Sequence, residues 1–272
     1  MTRQQSIGRG GAVACAIVLL SCATTPYGRQ QLELYPESTL ESQASALYEA
    51  MRAQRPVAAP GAELDTVLCV TAALTAALPP GAPRHWEVTL FEDETPNAFA
   101  LPGARIGVHT GLLRVARTQD QLAAVIGHEV AHVLERHANA RASNATAAGL
   151  LVVVGTEVLA GGGSAASQQG VAQALGLGAQ VGALMPFSRS HESVADWFGL
   201  DIMADAGFDP QQSVTLWENM AAASKGQPLE WLSTHPSHGT RIRDLEARIP
   251  AARVRYERAR AAGRRPDCRP AR

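Results

Sequence analysis

The stretch AVIGHEVAHVLERH, residues 124–137, carries two histidines four apart, His128 and His132, with Glu129 directly after the first. Upstream, Thr118 and Gln121 stand at capping-box spacing, so a helix is expected to begin near Gln119. Leu122, Val125, Ile126, Val130, Val133 and Leu134 recur at helical intervals and mark its buried stripe. On such a helix His128 and His132 share one face, with Cβ atoms roughly 5–6 Å apart. Both imidazoles can then reach one Zn²⁺ at about 2.0–2.1 Å. Glu129 is rotated by about 100°, which makes it a poor ligand for the same ion but lets it hold a water beside it. Two ligands and a general base from five consecutive residues are what gives HExxH its chemistry. Three unconnected polar residues on a helix face remain the competing reading until a third ligand is found, because a catalytic zinc takes three protein ligands and keeps one position open.

The third ligand is sought in FSRSHESVADWFGLDIMADAG, residues 187–207. Val194, Trp197, Phe198, Ile202 and Met203 give this segment an amphipathic helical pattern that ends at Gly207. Glu192 and Asp196 are four apart and project from one face. Glu192 can ligate the metal, and Asp196 can hydrogen-bond a ligating imidazole and fix its tautomer. Taken alone, the pair also fits a solvated helix face.

Four blocks in order make the pattern specific: NAFALPGARIGVHTGLL, GHEVAHVLERH, SRSHESVADWFG and STHPSHGTRI. Together they resemble metallopeptidase family 48, the HtpX-, Oma-, LoiP- and BepA-like zinc endopeptidases, over about Trp86 to Leu245. The resemblance implies a zincin-type domain of the gluzincin kind, with His128, His132 and Glu192 as zinc ligands and Glu129 as the base. It places Asp196 as an orienting residue or a proton donor, of which orientation is favoured one turn from a ligand. It places His235 at the mouth of the site, either stabilising the tetrahedral intermediate or filling the open zinc position at rest; a structural histidine near a helix start is the alternative. Asn97, Ala98 and Phe99, in NAFALPG, are expected to offer an extended edge to which a substrate peptide adds as a strand. Ala104 stands where the family pattern usually has glycine, a change expected to cost only some backbone freedom.

The rest of the chain frames this centre. Its 272 residues, 46% hydrophobic and 18% charged with a formal net charge of −1, suit one medium globular domain and give no electrostatic reason for a nucleic-acid partner. The arginines from Arg253 to Arg265 read as a solvated helix face and tail. Arg3 and Arg9 precede the apolar run GAVACAIVLL, which is followed by LLSC at Leu19 to Cys22. That is a secretion signal over residues 1–21, and LLSC resembles the bacterial lipobox, with Cys22 as lipidation site; ordinary signal cleavage near Ser21 to Thr25 is the alternative. The expected location is therefore the periplasmic face of a bacterial outer membrane, in a compact LoiP-like lipoprotein. Cys69 and Cys268 then remain as one possible disulfide pair, or as two unpaired thiols.

Residues 22–37 read as a polar tether and 38–272 as one α+β, mostly helical domain, with a helix from Ser38, a second over 62–78 and strands in HWEVTLFE and ARIGVHTG. Residues 145–185 are expected to form a helical hairpin packed on the protease. Its first apolar run is too short to span a bilayer, and membrane insertion of the hairpin is the alternative reading. His85, His109, His137, His191 and His238 receive structural readings. The function expected is zinc-dependent endopeptidase action on misfolded or unassembled envelope polypeptides, with one zinc per chain. A chaperone of the same fold that seldom cuts, and an envelope protein with a structural zinc, are the alternatives. The intact Glu129 argues against the first, and the His/His/Glu ligand type against the second.

Overall fold

The computed structural model describes residues 22–160, 186–224, 230–235 and 240–268. The expected signal segment, His238 and the hairpin beyond residue 160 lie outside the described residues. Strands β1 (Cys22–Thr24) and β2 (Gln30–Leu32) precede helices α1 (Glu37–Gln54) and α2 (Ala62–Ala76), then strands β3 (Glu87–Phe91), β4 (Ala98–Leu101) and β5 (Arg105–His109). Helices follow: α3 (Thr110–Leu113), α4 (Gln119–Leu134), α5 (His137–Ala160), α6 (Arg189–Asp205), α7 (Gln212–Ser224), α8 (Glu230–Thr234) and α9 (Arg241–Ala261). The chain is α+β and mostly helical, as its pattern of apolar residues implied. It divides into two compact units, Met1–Leu40 with Ala138–Leu184 and Glu41–His137 with Met185–Arg272.

In the first unit β1 and β2 pair antiparallel, with Cys22 opposite Leu32 and Gly28 at φ 79 in the connecting turn. The following residues are held by α5: Leu34 N–H donates to Ser143 Oγ at 2.8 Å, and the Tyr35 and Thr146 hydroxyls lie 2.5 Å apart. Residues 22–37 are thus structured rather than a tether, because polar groups on α5 satisfy backbone that a tether would leave to water. Among the described residues no helix is long and apolar enough to cross a membrane.

The second unit holds a small sheet in the order β3-β5-β4, with β3 parallel and β4 antiparallel to β5. Pro56 to Ala58 cover the outer edge of β3, through Ala58 N–H to the Leu90 carbonyl and Glu92 N–H to the Pro56 carbonyl, both 2.9 Å. The β4 edge is left to face helix α4, which packs against β4, α6 and α7. The β4–β5 turn places Gly103 at φ 81 and Ala104 at φ 60. Ala104 therefore pays more than backbone freedom, since a left-handed conformation costs a residue with a Cβ roughly 1–2 kcal/mol.

Helix α4 begins where Thr118 caps it, accepting the Gln121 N–H, and Leu122, Val125, Ile126 and Val130 are fully buried along its length. Its first turn also anchors the C-terminal tail. The Gln119 side chain accepts the Cys268 N–H at 2.6 Å and donates to the Pro266 carbonyl at 3.1 Å. Cys268 is joined to Cys69 of α2, with Cα atoms 5.5 Å apart across 199 residues of sequence. Closing so long a loop limits the unfolded chain, so selective reduction is expected to lower stability by about 2–5 kcal/mol. Thermal unfolding with and without reductant, with a Cys268→Ser variant alongside, measures this; an unchanged melting temperature in both would contradict it.

Candidate metal centre

Two helices carry the centre, and their backbones touch. A Cβ on Gly199 of α6 would come within 2.8 Å of His128 N and 2.9 Å of Gly127 C, and a Cβ on Gly127 would meet the Gly199 carbonyl at 3.0 Å. Glycine on both sides lets α4 and α6 approach closely enough for His128 and His132 to face Glu192 and Asp196. Ser188 starts α6 at the right point by accepting the His191 N–H at 3.2 Å.

His128, His132, Glu192 and His235 are all buried, and their ligand atoms lie within 4.8 Å of one another. His128 Nε2 is 3.0 Å from His132 Nε2 and 3.3 Å from His235 Nδ1. Glu192 Oε1 is 3.1 Å from His235 Nδ1 and 3.5 Å from His132 Nε2, and Glu192 Oε2 is 3.5 Å from His128 Nε2. Bonds of about 2.0–2.1 Å around a tetrahedral ion put neighbouring donors roughly 3.3 Å apart, so the spacing fits one metal ion held by two or three imidazoles and a carboxylate. Glu192 Oε2 is buried and faces both His128 Nε2 and the Arg241 guanidinium. His235 lies within the donor group, its Nδ1 near both His128 Nε2 and Glu192 Oε1.

The surroundings set the charges. Asp196 Oδ1 lies 3.1 Å from His128 Nδ1 and therefore orients that ring. Arg241, buried at the start of α9, grips Asp196 with two hydrogen bonds of 2.5 and 2.7 Å and brings Nη1 to 2.8 Å from Glu192 Oε2. Burial opposes charge on His128, but hydrogen bonds to Asp196 and Glu192 outweigh it and push its pKa up to about 9. Burial dominates at His132 and holds it neutral, well below the usual range. Burial would raise the Glu192 carboxyl, yet hydrogen bonds from His128, His132 and His235 hold it far below the carboxylate range. A metal entering this site would displace the proton shared by the imidazoles, so uptake releases protons.

Glu129 sits beside the donor group without joining it. Its Oε1 accepts from the Trp231 indole at 3.0 Å, and its Oε2 accepts from the Ala100 N–H of β4 at 3.2 Å. Trp231 in turn stacks on His235, with ring centroids 4.9 Å apart. Backbone groups alternate along a strand, and the Asn97 carbonyl accepts from His109 N–H at 3.0 Å. Asn97 and Phe99 therefore turn their backbone groups inward to β5, while Ala98 and Ala100 turn theirs to the open edge. Of the three residues expected to meet substrate, only Ala98 turns its backbone to that edge. The side chains of Asn97 and Ala98 are both buried, and Phe99 covers Gly107 with its ring. Cys22 is exposed in β1.

Arg241 and Trp231 were not assigned roles from sequence. Arg241 is one of many arginines near the C-terminus, and a tryptophan in a globular chain reads as core. The only signal that could have singled out Arg241 was its place inside STHPSHGTRI.

The fold and donor set define a zincin-like metallopeptidase centre. Residues 61–249 match Peptidase family M48, and the chain belongs to that family. It is 40% identical over 174 residues to the mitochondrial metalloendopeptidase OMA1 of Schizosaccharomyces pombe, a match covering 63% of this chain and 49% of that protein. It is 34% identical over 176 residues to the human mitochondrial metalloendopeptidase OMA1, covering 62% of this chain and 33% of that protein. The β-barrel assembly-enhancing protease of Yersinia pestis is 32% identical over 164 residues, covering 58% and 33%. The matches thus cover about a third to a half of these relatives' lengths. These relatives correct the location expected from Leu19 to Cys22. Proteins as similar as 40% identical are mitochondrial, so the protease blocks do not mark a bacterial outer-membrane lipoprotein, and that location is withdrawn.

Gly199→Ala should force α4 and α6 apart, costing about 1–3 kcal/mol of stability and weakening metal uptake. Thermal unfolding and metal content of the purified variant test this; wild-type values in both would show that the close approach is not needed.

Proposed function

We propose that the chain is a zinc-dependent endopeptidase acting on unfolded or unassembled polypeptides. The observation that supports it best is the meeting of His128, His132 and Glu192 around one point, with the Glu129 carboxylate fixed alongside. Three ligands of nitrogen and oxygen type, with no thiolate, are the donor set of a catalytic zinc rather than a structural one. Zinc in this site supplies a Lewis acid for the substrate carbonyl and acidifies water.

The chain's own groups do the rest. The Glu129 carboxylate accepts a proton from the attacking water as the water oxygen bonds to the peptide carbonyl carbon. It then delivers that proton to the leaving amine nitrogen as the C–N bond breaks. The Trp231 indole and the Ala100 N–H hold the carboxylate in place for both transfers. Asp196, neutralised by Arg241, keeps the His128 ring in register. His235, beside His128 and Glu192, could join them in holding the ion and would be the group to give way to substrate. The substrate lies as an added strand along β4, pairing with the Ala98 backbone and the Ala100 carbonyl. Pairing of this kind reads backbone, which suits unfolded segments of many sequences.

Purified full-length chain should digest casein with about one zinc bound, and a chelator should stop it. Glu129→Gln should keep the zinc and lose on the order of 10²–10⁴-fold in turnover, because an amide cannot take the proton. Near-wild-type turnover in that variant, or wild-type protein that digests casein without zinc, would overturn the assignment.

A further inference from the structure

His137 lies five residues after His132, and on one unbroken helix that offset would turn it about 140° away from the ligand. The chain breaks instead. Helix α4 ends at Leu134, Arg136 adopts φ 50, and α5 starts at His137. A left-handed backbone is uncommon for a residue with a Cβ, and here it swings the His137 ring back to the metal centre. His137 Nδ1 ends 2.9 Å from His132 Nδ1, on the side of that ring opposite the donor group. The His137 ring is 2% exposed and stacks on His191, with centroids 4.4 Å apart and planes 16° from parallel.

We propose that His137 is the positioning residue for His132: its Nδ1 accepts the His132 Nδ1–H and so commits His132 Nε2 to the metal. The proposal rests on the zinc-centre reading above. Two ring nitrogens at this distance share one proton. A ligating imidazole must present Nε2 as a lone pair, so the proton belongs to Nδ1 of His132. His137 must then carry its own proton on Nε2. Metal-bound histidines usually donate to a carboxylate, a carbonyl or water, and losing that partner weakens metal binding. Here the two ligands have different partners. His128 has Asp196, whose charge Arg241 balances, and His132 has the His137 imidazole. Neither partner brings uncompensated negative charge, which preserves the Lewis acidity of an ion held between them.

Three full-length proteins test this: wild type, His137→Phe, which keeps a ring against His191, and His137→Asn, which keeps an acceptor. Zinc affinity is read by competition with a chromophoric chelator, and the cobalt-substituted forms are compared by visible absorption. His137→Phe should bind zinc about 10–100-fold more weakly and shift the cobalt spectrum, with His137→Asn recovering most of the affinity. Wild-type affinity in His137→Phe would overturn the proposal, and so would an equal loss in both variants. Nitrogen-15 NMR of the zinc-loaded wild type gives an independent reading: His132 protonated on Nδ1 supports the proposal, and His132 protonated on Nε2 overturns it even if neither variant folds. Wild-type protein that binds no zinc would instead sink the zinc centre itself, so the two failures are distinguishable.

Discussion

The close approach of α4 and α6 at Gly127 and Gly199 is the constraint on which the site depends. Each helix alone offers an incomplete centre: two imidazoles and a base on one, a carboxylate and its neighbour Asp196 on the other. With no side chain between the backbones, the groups facing across the contact fall 3.1–3.5 Å apart. One methyl group at Gly199 would collide with backbone atoms of α4, which cannot turn aside as a flexible side chain would. The surrounding packing serves this contact. The capped start of α4, its buried stripe and the disulfide-anchored tail across its first turn fix the helix from the other side.

So many polar groups can be buried here because their charges are matched. Arg241 sits among Asp196, Glu192 and His128 and lies over the Trp217 ring, with Cζ 4.1 Å from the centroid. An unpaired buried carboxylate would cost several kcal/mol, whereas the two-pronged grip on Asp196 spends that charge on holding the His128 ring. The same economy applies to Glu129, whose two oxygens are met by an indole and by a strand backbone amide. Under the proposed mechanism the base is thereby tied to the edge along which a substrate strand would run, and peptide position would be coupled to proton transfer.

The helical parts of this arrangement were readable from sequence because they obey a period. The pairs His128/His132 and Glu192/Asp196 each stand four apart, and the apolar stripe beneath them repeats at the same interval, so faces could be assigned without knowing the fold. What could not be read lies where the period breaks. His137 falls on the wrong face of any continuous helix and returns only through the left-handed Arg136. Trp231 and Arg241 come from later segments and reach the centre by tertiary packing alone. The β4 edge was seen as extended, but which residues face outward depends on register with β5, one residue of which reverses the answer. Residues 22–37 looked like a tether because their partners on α5 lie more than a hundred residues away.

The central claim is that one zinc is held by two histidines of α4, Glu192 of α6 and, at rest, His235. Zinc K-edge X-ray absorption on the purified full-length chain tests it most directly. The account predicts four nitrogen or oxygen neighbours at about 2.0–2.2 Å, with the outer-ring scattering of three imidazoles. A sulfur neighbour at about 2.3 Å, scattering from only one imidazole, or protein that retains no zinc would contradict it.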